Sequence, residues 1–116
     1  MLIIKEVISD REALKSIEEE VFFDDMIKCV VDVEKDIIAI NADLHSDLEQ
    51  FLLDSGSRQQ DLYGINILFD SWEIEYDSLI NPPRNREDGY PRVGRYVADP
   101  EKRKKIEEIV KKWIVL

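Results

Sequence analysis

The residues best suited to chemistry lie in one stretch, NADLHSDLEQFLLDSGSRQQDLYGIN, at positions 41–66. It holds the only histidine of the chain, His45, together with several carboxylates. An imidazole nitrogen and carboxylate oxygens can bind a divalent metal ion, and a histidine beside a carboxylate can act as a general base. The sequence therefore offers His45 and Asp61 as candidate catalytic residues. It offers His45, Asp47 and Asp61 as candidate ligands of a divalent metal ion, the one cofactor that these residues suggest.

The same stretch also has a structural interpretation. Ser46 and Glu49 have the spacing of a capping box, which predicts a helix over 46–55 that begins just after His45. Acidic side chains such as Asp43 and Glu49 interact favourably with the positive end of a helix, so they occur there without any ligand. On this interpretation His45 stands just outside the helix, at its polar edge. The sequence leaves the two interpretations open.

Three further residues, Gln59, Asn66 and Arg84, are candidate ligand-binding residues. Gln59 belongs to the turn GSRQQD, which packing does not explain, although a polar loop is its simplest interpretation. His45 and Asp61 bracket the second predicted helix, and they would be close if the strands on either side of it are neighbours. A cleft that joins His45, Asp61 and Arg84 is therefore one arrangement that the sequence allows.

Charge is distributed unevenly along the chain. Residues 1–82 carry 6 basic and 20 acidic side chains, a net charge of −14, whereas residues 83–116 carry 10 and 6, a net charge of +4. The acidic part would repel phosphates, which argues against a nucleic-acid partner. The basic region 84–112 is the exception, because its arginines suit phosphate and Tyr90 and Tyr96 can stack on bases. The alternative is that the basic tail packs over the acidic body.

The pattern of apolar residues predicts an α+β fold. Alternating apolar residues predict strands, and apolar residues at helical spacing predict helices. The order is β-α-ββ-α-ββ-α, which indicates a mainly antiparallel sheet of about five strands, with three helices on one face. The predicted elements are a strand at 2–7, a helix at 10–22, a hairpin over 26–44, a helix at 46–55, a hairpin over 61–80, a long loop at 81–98 and a helix from 100 to the end.

Length and composition limit the architecture. The 116 residues, of which 44% are hydrophobic, are enough for one core, so we expect a single domain over 1–116. Cys29 is the only cysteine and lies in an apolar run, which is typical of a small buried residue. The N-terminus is too polar for a signal peptide, and no segment approaches the length of a membrane span. We therefore expect a cytoplasmic protein with no membrane partner.

Most of the sequence resembles a known family. The stretch VVDVEKDIIAINADLHSDLEQFLLDSGSRQQDLYGINI, with DSLIN and DPEKRKKIEEIV further on, is similar to small prokaryotic proteins catalogued as a domain of unknown function. The family's pattern resembles L-H-x-D-x-E, then G-S-x-Q-x-D-L-[WY]-G-I-N. The matching residues here are Leu44, His45, Asp47, Glu49, Gly56, Ser57, Gln59, Asp61, Leu62, Tyr63, Gly64, Ile65 and Asn66. The resemblance marks this stretch as a signature and brings no activity, substrate or cofactor with it.

Three classes of function follow from these observations. The chain is small and acidic, and it lacks a Gly-rich phosphate loop, a cysteine pair for zinc and an H-E-x-x-H motif. We therefore expect first an interaction or regulatory module with a protein partner or a second copy of itself. The alternative is a small-molecule or metal-dependent enzyme that uses a cleft at His45 and Asp61. The third is RNA or nucleotide binding through the basic region 84–112.

Overall fold

The computed structural model describes residues 1–17 and 22–115. Within them the chain forms a five-stranded sheet and four α-helices. The strands are β1 (Leu2–Ile4), β2 (Met26–Asp32), β3 (Ile37–Ile40), β4 (Leu62–Leu68) and β5 (Ile74–Glu75). The helices are α1 (Arg11–Ser16), α2 (His45–Asp54), α3 (Asn81–Glu87) and α4 (Pro100–Trp113). The predicted α+β fold with an antiparallel sheet of about five strands is confirmed.

The sheet has the strand order β1-β3-β2-β4-β5, and every neighbouring pair is antiparallel. The longest pairing joins β2 and β4 at the centre, from Met26 opposite Leu68 to Asp32 opposite Leu62. The two predicted hairpins, β2–β3 and β4–β5, are confirmed. Strand β1 lies beyond β3, so the connection through α1 passes over one intervening strand.

Helices cover both faces of the sheet, so the prediction that they share one face is wrong. The side chains of Tyr63, Ile65 and Ile67 pack with α1 and α4, whereas Leu62 packs with α2 on the opposite face. The cause is visible in the central strands, where consecutive residues such as Val30 and its neighbours are fully buried. A strand buried on both faces needs a helical layer on each side.

Ser9 and Glu12 have the spacing of a capping box, which predicts Ser9 as the N-cap of α1, but the structure shows a different cap. The carboxylate of Asp10 accepts a hydrogen bond from the backbone N–H of Ala13 at 2.8 Å. Asp10 is therefore the N-cap, and the box predicted from Ser9 and Glu12 is wrong. Positions 18–21 of the predicted helix lie outside the described residues.

Helix α3 occupies part of the segment predicted as a long loop, which brings the number of described helices to four rather than three. Pro82 and Pro83 lie in its first turn. The backbone N–H groups of a first turn have no partner inside the helix, so proline is tolerated there. Two adjacent prolines thus begin a helix here, although they usually indicate a loop.

Candidate functional site

The candidate site begins at the N-terminus of α2. His45 is the first residue of the helix and Leu44 is its N-cap, so the capping box predicted from Ser46 and Glu49 is wrong. Leu44 offers no polar side chain to the first helical turn. Among the residues described, the backbone N–H groups of His45 and Ser46 have no acceptor. The helix therefore leaves its positive end uncapped.

His45 is held in one orientation by the sheet. Its side chain packs beside β4, and its Nε2 lies 2.8 Å from the backbone oxygen of Ile65. A carbonyl oxygen can only accept a hydrogen bond, so Nε2 carries the proton. His45 is 8% exposed. Burial lowers the pKa of His45 from its ordinary value of 6.5; the bond to Ile65 opposes this effect, and nearby Lys28 adds to it. The imidazole is therefore neutral at pH 7, and its Nδ1 is unprotonated.

A small cavity, which we call the His45 pocket, opens beside this imidazole. It has a volume of about 180 Å³. Its lining consists of Lys28, Leu44, His45, Ser46, Leu79, Ile80 and Arg95. Because one water occupies about 30 Å³ of liquid, the cavity has room for a carboxylate or phosphate group. Leu44 and Leu79 are 50% and 74% exposed, so the rim of the pocket is apolar.

Two cations border the His45 pocket. Lys28 lies on β2. Arg95 lies on a segment that pairs with the chain after β5, where the Ser78 N–H donates to the Arg95 carbonyl at 3.0 Å. Arg95 also forms an ion pair with Asp77 at 2.8 Å. The uncapped helix end adds a partial positive charge. The border of the pocket therefore carries positive groups, of which Arg95 is paired with Asp77 and the Lys28 ammonium lies over the ring of Phe23.

Asn66 lies next to this cluster, opposite Lys28 in the β2–β4 pairing. Its Nδ2 donates to the carboxylate of Glu75 at 2.9 Å. Its Oδ1 is buried and has no hydrogen-bond donor among the residues described. The predicted ligand-binding residue Asn66 is thus close to the pocket, although it does not line it.

Asp61 is not part of the same cleft. It lies in the 3-10 turn Gln59–Asp61 before β4, four residues ahead of the Ile65 carbonyl that holds His45. Its carboxylate forms an ion pair with Arg58 at 3.0 Å. The structure therefore does not bring Asp61 to the His45 pocket. The pairing of His45 with Asp61 in catalysis stays a prediction that this geometry does not favour.

Arg84 and Gln59 belong to a separate internal network. Arg84 is 3% exposed, its Nε donates to the Leu62 carbonyl at 3.0 Å, and its Nη2 pairs with the carboxylate of Glu49. Gln59 donates to the same carboxylate at 3.4 Å. These contacts hold α3 against α2 and β4. A ligand-binding role for Arg84 or Gln59 stays a prediction.

The three candidate metal ligands are also dispersed. Asp47 lies in the first turn of α2, and it lines a different cavity from His45. Within residues 1–17 and 22–115, no group of three or more His, Cys, Asp or Glu side chains is arranged to hold a metal ion. A divalent metal bound by His45, Asp47 and Asp61 stays a prediction without support from this arrangement.

Sequence reasoning missed the two cations of the pocket. Lys28 alternates with the apolar residues Ile27 and Cys29, which predicts an outward side chain on a half-buried strand, but β2 is covered on both faces. A single lysine in a strand that is otherwise almost wholly apolar was the available signal. Arg95 was noted only as part of a basic loop, because no local pattern shows that its segment returns to the sheet.

The comparisons with other proteins give a family. The family described as "Protein of unknown function (DUF5674)" matches residues 2–113, so the chain belongs to it. The resemblance to a domain of unknown function is confirmed. Neither the curated proteins nor the solved structures contain a match to the chain. In the part of the chain that the structure describes, no helix has the length and apolar character needed to cross a bilayer.

Proposed function

We propose that this protein is an interaction or regulatory module that binds an anionic group, a carboxylate or a phosphate, in the His45 pocket. The proposal rests on one observation. A nearly buried, neutral imidazole lines a small cavity between Lys28 and Arg95, at an uncapped helix N-terminus.

Apart from the His45 ring, the polar groups around the pocket are donors that suit an anion. The free N–H groups of His45 and Ser46 lie at the positive end of α2, and such helix ends bind carboxylates and phosphates. A hydrogen bond to a charged group contributes about 1.5–3 kcal/mol, and the helix end adds about 0.3–1 kcal/mol. For an isolated anion we therefore expect a dissociation constant between about 1 mM and about 50 mM.

His45 would couple this binding to a proton. The unprotonated Nδ1 is an acceptor, so it cannot donate to a fully ionised anion. An anion beside the ring raises the pKa of His45, because an opposite charge favours the protonated form. Binding should therefore take up a proton and become tighter as the pH falls from 7 towards 6.

The apolar rim supports a partner rather than an anion alone. Leu44 and Leu79 stand exposed on either side of the cationic cavity. Exposed apolar groups around a polar site are typical of interaction surfaces. An acidic side chain flanked by apolar residues in a partner protein, or a small metabolite with an apolar body, would both place a carboxylate in this cavity.

The proposal is tested by thermal unfolding at constant ionic strength. Sodium acetate and sodium phosphate replace sodium chloride in increasing amounts, for wild type, Lys28→Met and Arg95→Gln. Lys104→Met is the matched control, because Lys104 is an exposed lysine of α4 away from the pocket. We expect both anions to raise the Tm of wild type and of Lys104→Met, since a ligand of the native state stabilises it.

The pocket variants decide the outcome. Lys28→Met and Arg95→Gln should show a smaller rise in Tm than the control. An equal rise in all four proteins would show only general salt effects and would contradict the proposal. A peptide acetyl-Leu-Glu-Leu-amide, compared with glutarate in the same assay, distinguishes a protein partner from a free metabolite. Tighter binding of the peptide supports an interaction module.

A second candidate function is an enzyme in which His45 acts as a general base. The observation in its favour is the fixed tautomer, because the Ile65 carbonyl orients the ring and leaves Nδ1 unprotonated. Hydrolysis of p-nitrophenyl acetate or phosphate by wild type, and its loss in His45→Gln, would support this function.

Binding of nucleic acid through the region 84–112 stays a prediction, and the internal contacts of Arg84 remove one of its basic groups.

A further inference from the structure

The Nδ1 atom of His45 is the part of the His45 pocket that the binding of an anion leaves unexplained. Nε2 carries the proton and lies 2.8 Å from the Ile65 oxygen, so the lone pair of the neutral ring is on Nδ1. No described residue donates to Nδ1, and Nδ1 is not one of the fully buried atoms without a partner, as Asn66 Oδ1 is. Nδ1 therefore has accessible surface. Because His45 lines the pocket, this lone pair is open to a molecule that enters it.

An accessible lone pair on an imidazole is a nucleophile, and histidine forms covalent intermediates through it. A metal ion is another common partner of such a nitrogen, but the described residues hold no group of three or more metal-ligating side chains. The pocket thus combines a nucleophile with donors for an anion. A phosphoryl group suits both, because it is electrophilic at phosphorus and anionic at its oxygens. A carboxylate is an anion without the electrophile, and a neutral ester is an electrophile without the anion.

The surroundings of the ring suit phosphoryl oxygens. The charged side chains that act on the ring are Lys28, Arg95 and Asp77. Arg95 and Asp77 form an ion pair, whereas Lys28 forms none with a described carboxylate, so one positive charge is left over. The backbone N–H groups of His45 and Ser46 have no acceptor among the described residues, and free N–H groups at a helix N-terminus bind phosphate.

We propose that His45 is a phosphorylation site, at which Nδ1 accepts a phosphoryl group from a small acyl phosphate. This inference rests on the proposed function, because it identifies the anion of the His45 pocket as a phosphoryl group. It also gives the pocket a means of regulation. The attached group fills the cavity and makes it negative, so a carboxylate of a partner is repelled.

The transfer needs no proton donor or acceptor. The lone pair of Nδ1 forms a bond to phosphorus, and the bond between phosphorus and the acyl oxygen breaks. The leaving carboxylate keeps the electron pair of that bond. Nε2 retains its hydrogen, so the ring gains one positive charge and the phosphoryl group keeps two negative charges. The hydrogen bond from Nε2 to the Ile65 carbonyl then becomes charge-assisted, which stabilises the product.

The test is incubation of the folded protein with acetyl phosphate in mildly alkaline solution, where phosphohistidine persists. Intact mass should show the addition of one phosphoryl group per chain. ³¹P and ¹H–¹⁵N spectra should place it on Nδ1, with Nε2 still protonated. N-acetylhistidine methylamide is the reference, because both of its ring nitrogens are open to reaction. We expect the protein to react faster than the reference and at Nδ1 alone. Reaction at Nε2, at a residue other than His45, or no faster than the reference would overturn the proposal.

Variants test whether the pocket assists the transfer. Lys28→Met should slow phosphorylation about tenfold, because it removes a cation from the developing negative charge. Lys104→Met is the matched control in exposed α4 and should react within about twofold of wild type. His45→Gln should remain unmodified. Equal rates in Lys28→Met and Lys104→Met would contradict the assigned role of the pocket.

The thermal unfolding assay separates this proposal from the proposed function. If phosphate raises the Tm of wild type but acetyl phosphate leaves His45 unmodified, phosphorylation is overturned and the anion site stands. If phosphate also fails to raise the Tm, both proposals are overturned.

Discussion

Asp32 is a buried carboxylate at the end of β2, and its contacts show how one polar residue connects distant parts of the chain. Its Oδ1 accepts hydrogen bonds from the backbone N–H groups of Glu34 and Lys35, each at 2.9 Å. Its Oδ2 accepts a hydrogen bond from the Ser57 hydroxyl at 2.7 Å. Asp32 therefore fixes the β2–β3 turn and ties it to the loop after α2.

We expect Asp32→Ala to destabilise the fold strongly. The substitution leaves two backbone N–H groups and the Ser57 hydroxyl without their acceptor, and hydrogen bonds to a charged group contribute about 1.5–3 kcal/mol each. The free energy of unfolding, measured by urea denaturation, should fall by about 3 kcal/mol or more. Ser57→Ala is the control, because it removes one of the three bonds and should cost about 1.5–3 kcal/mol, less than Asp32→Ala. Equal losses in the two variants would contradict this role of the turn.

The burial of His45 predicts a specific dependence of stability on pH. Its pKa in the folded state lies below the unfolded value of 6.5, so the unfolded chain binds more protons between these two values. The contribution of neutral His45 is therefore present in full above pH 6.5, and it is lost as the pH falls from 6.5 towards the folded pKa.

This dependence is measured by urea denaturation between about pH 7.5 and 5.5, in buffers without carboxylate or phosphate. Stability should fall over this range in wild type and fall less in His45→Gln, whose amide can still donate to the Ile65 carbonyl. An equal fall in both proteins would show that other groups cause the pH dependence.

At the scale of elements, β4 and the segment before α3 approach each other closely. A Cβ added at Gly64 would lie 2.4 Å from the Ser78 side chain. Asn81, at the start of α3, donates to the Gly64 carbonyl at 2.9 Å and accepts from its N–H at 2.8 Å. The side chain of Asn81 thus makes the backbone contacts that a neighbouring strand would make, while Ser78 and Ile80 leave no space for a side chain at position 64.

We therefore expect Gly64→Ala to destabilise the protein, because overpacking of a buried contact costs about 1–3 kcal/mol. Thermal unfolding should show a lower Tm for this variant. Gly94→Ala is the matched control, since a Cβ at Gly94 meets nothing within 4 Å and its backbone is not left-handed. A Tm for Gly64→Ala equal to that of Gly94→Ala would contradict the close packing described here.

The elements that sequence predicts well are those set by local patterns. The β2–β3 and β4–β5 hairpins follow from alternating apolar residues, and α4 from its cap at Asp99 and the proline after it. Helix α3 was predicted as a loop, because two adjacent prolines usually indicate one. Strand β5 contains only Ile74–Glu75, because the chain after it pairs instead with the segment around Arg95.

The candidate site was predictable only in part, because it depends on long-range contacts. His45 stands out as the single histidine, but the sequence placed it just outside α2, whereas it is the first residue of the helix. Its environment comes from β2, β4 and the segment around Arg95, which no local pattern brings together. Asp61 looked like a partner of His45 because the two residues bracket α2. In the structure its carboxylate instead forms an ion pair with Arg58, three residues earlier in the sequence.

On the scale of the whole molecule, the basic end of the chain packs over the acidic body. Lys105 and Lys112 of α4 lie 3.2 and 3.8 Å from the carboxylate of Asp36 in the β2–β3 turn. Two arginines of residues 83–116 also form ion pairs with acidic residues of the first part of the chain, Arg95 with Asp77 and Arg84 with Glu49. Ion pairs within the chain therefore neutralise part of the charge asymmetry seen in the sequence.

The central claim is that a neutral His45, with its Nδ1 unprotonated, lines an anion-binding cavity. The chain has one histidine, so a two-dimensional ¹H–¹⁵N spectrum of the imidazole reports this side chain alone. At pH 7 we predict a protonated Nε2 and an unprotonated Nδ1, and a saturable shift of Nδ1 towards the protonated value when phosphate is added. The same titration of Lys28→Met should need a higher phosphate concentration. A ring that is already charged at pH 7, or an Nδ1 signal that phosphate leaves unchanged, would contradict the claim.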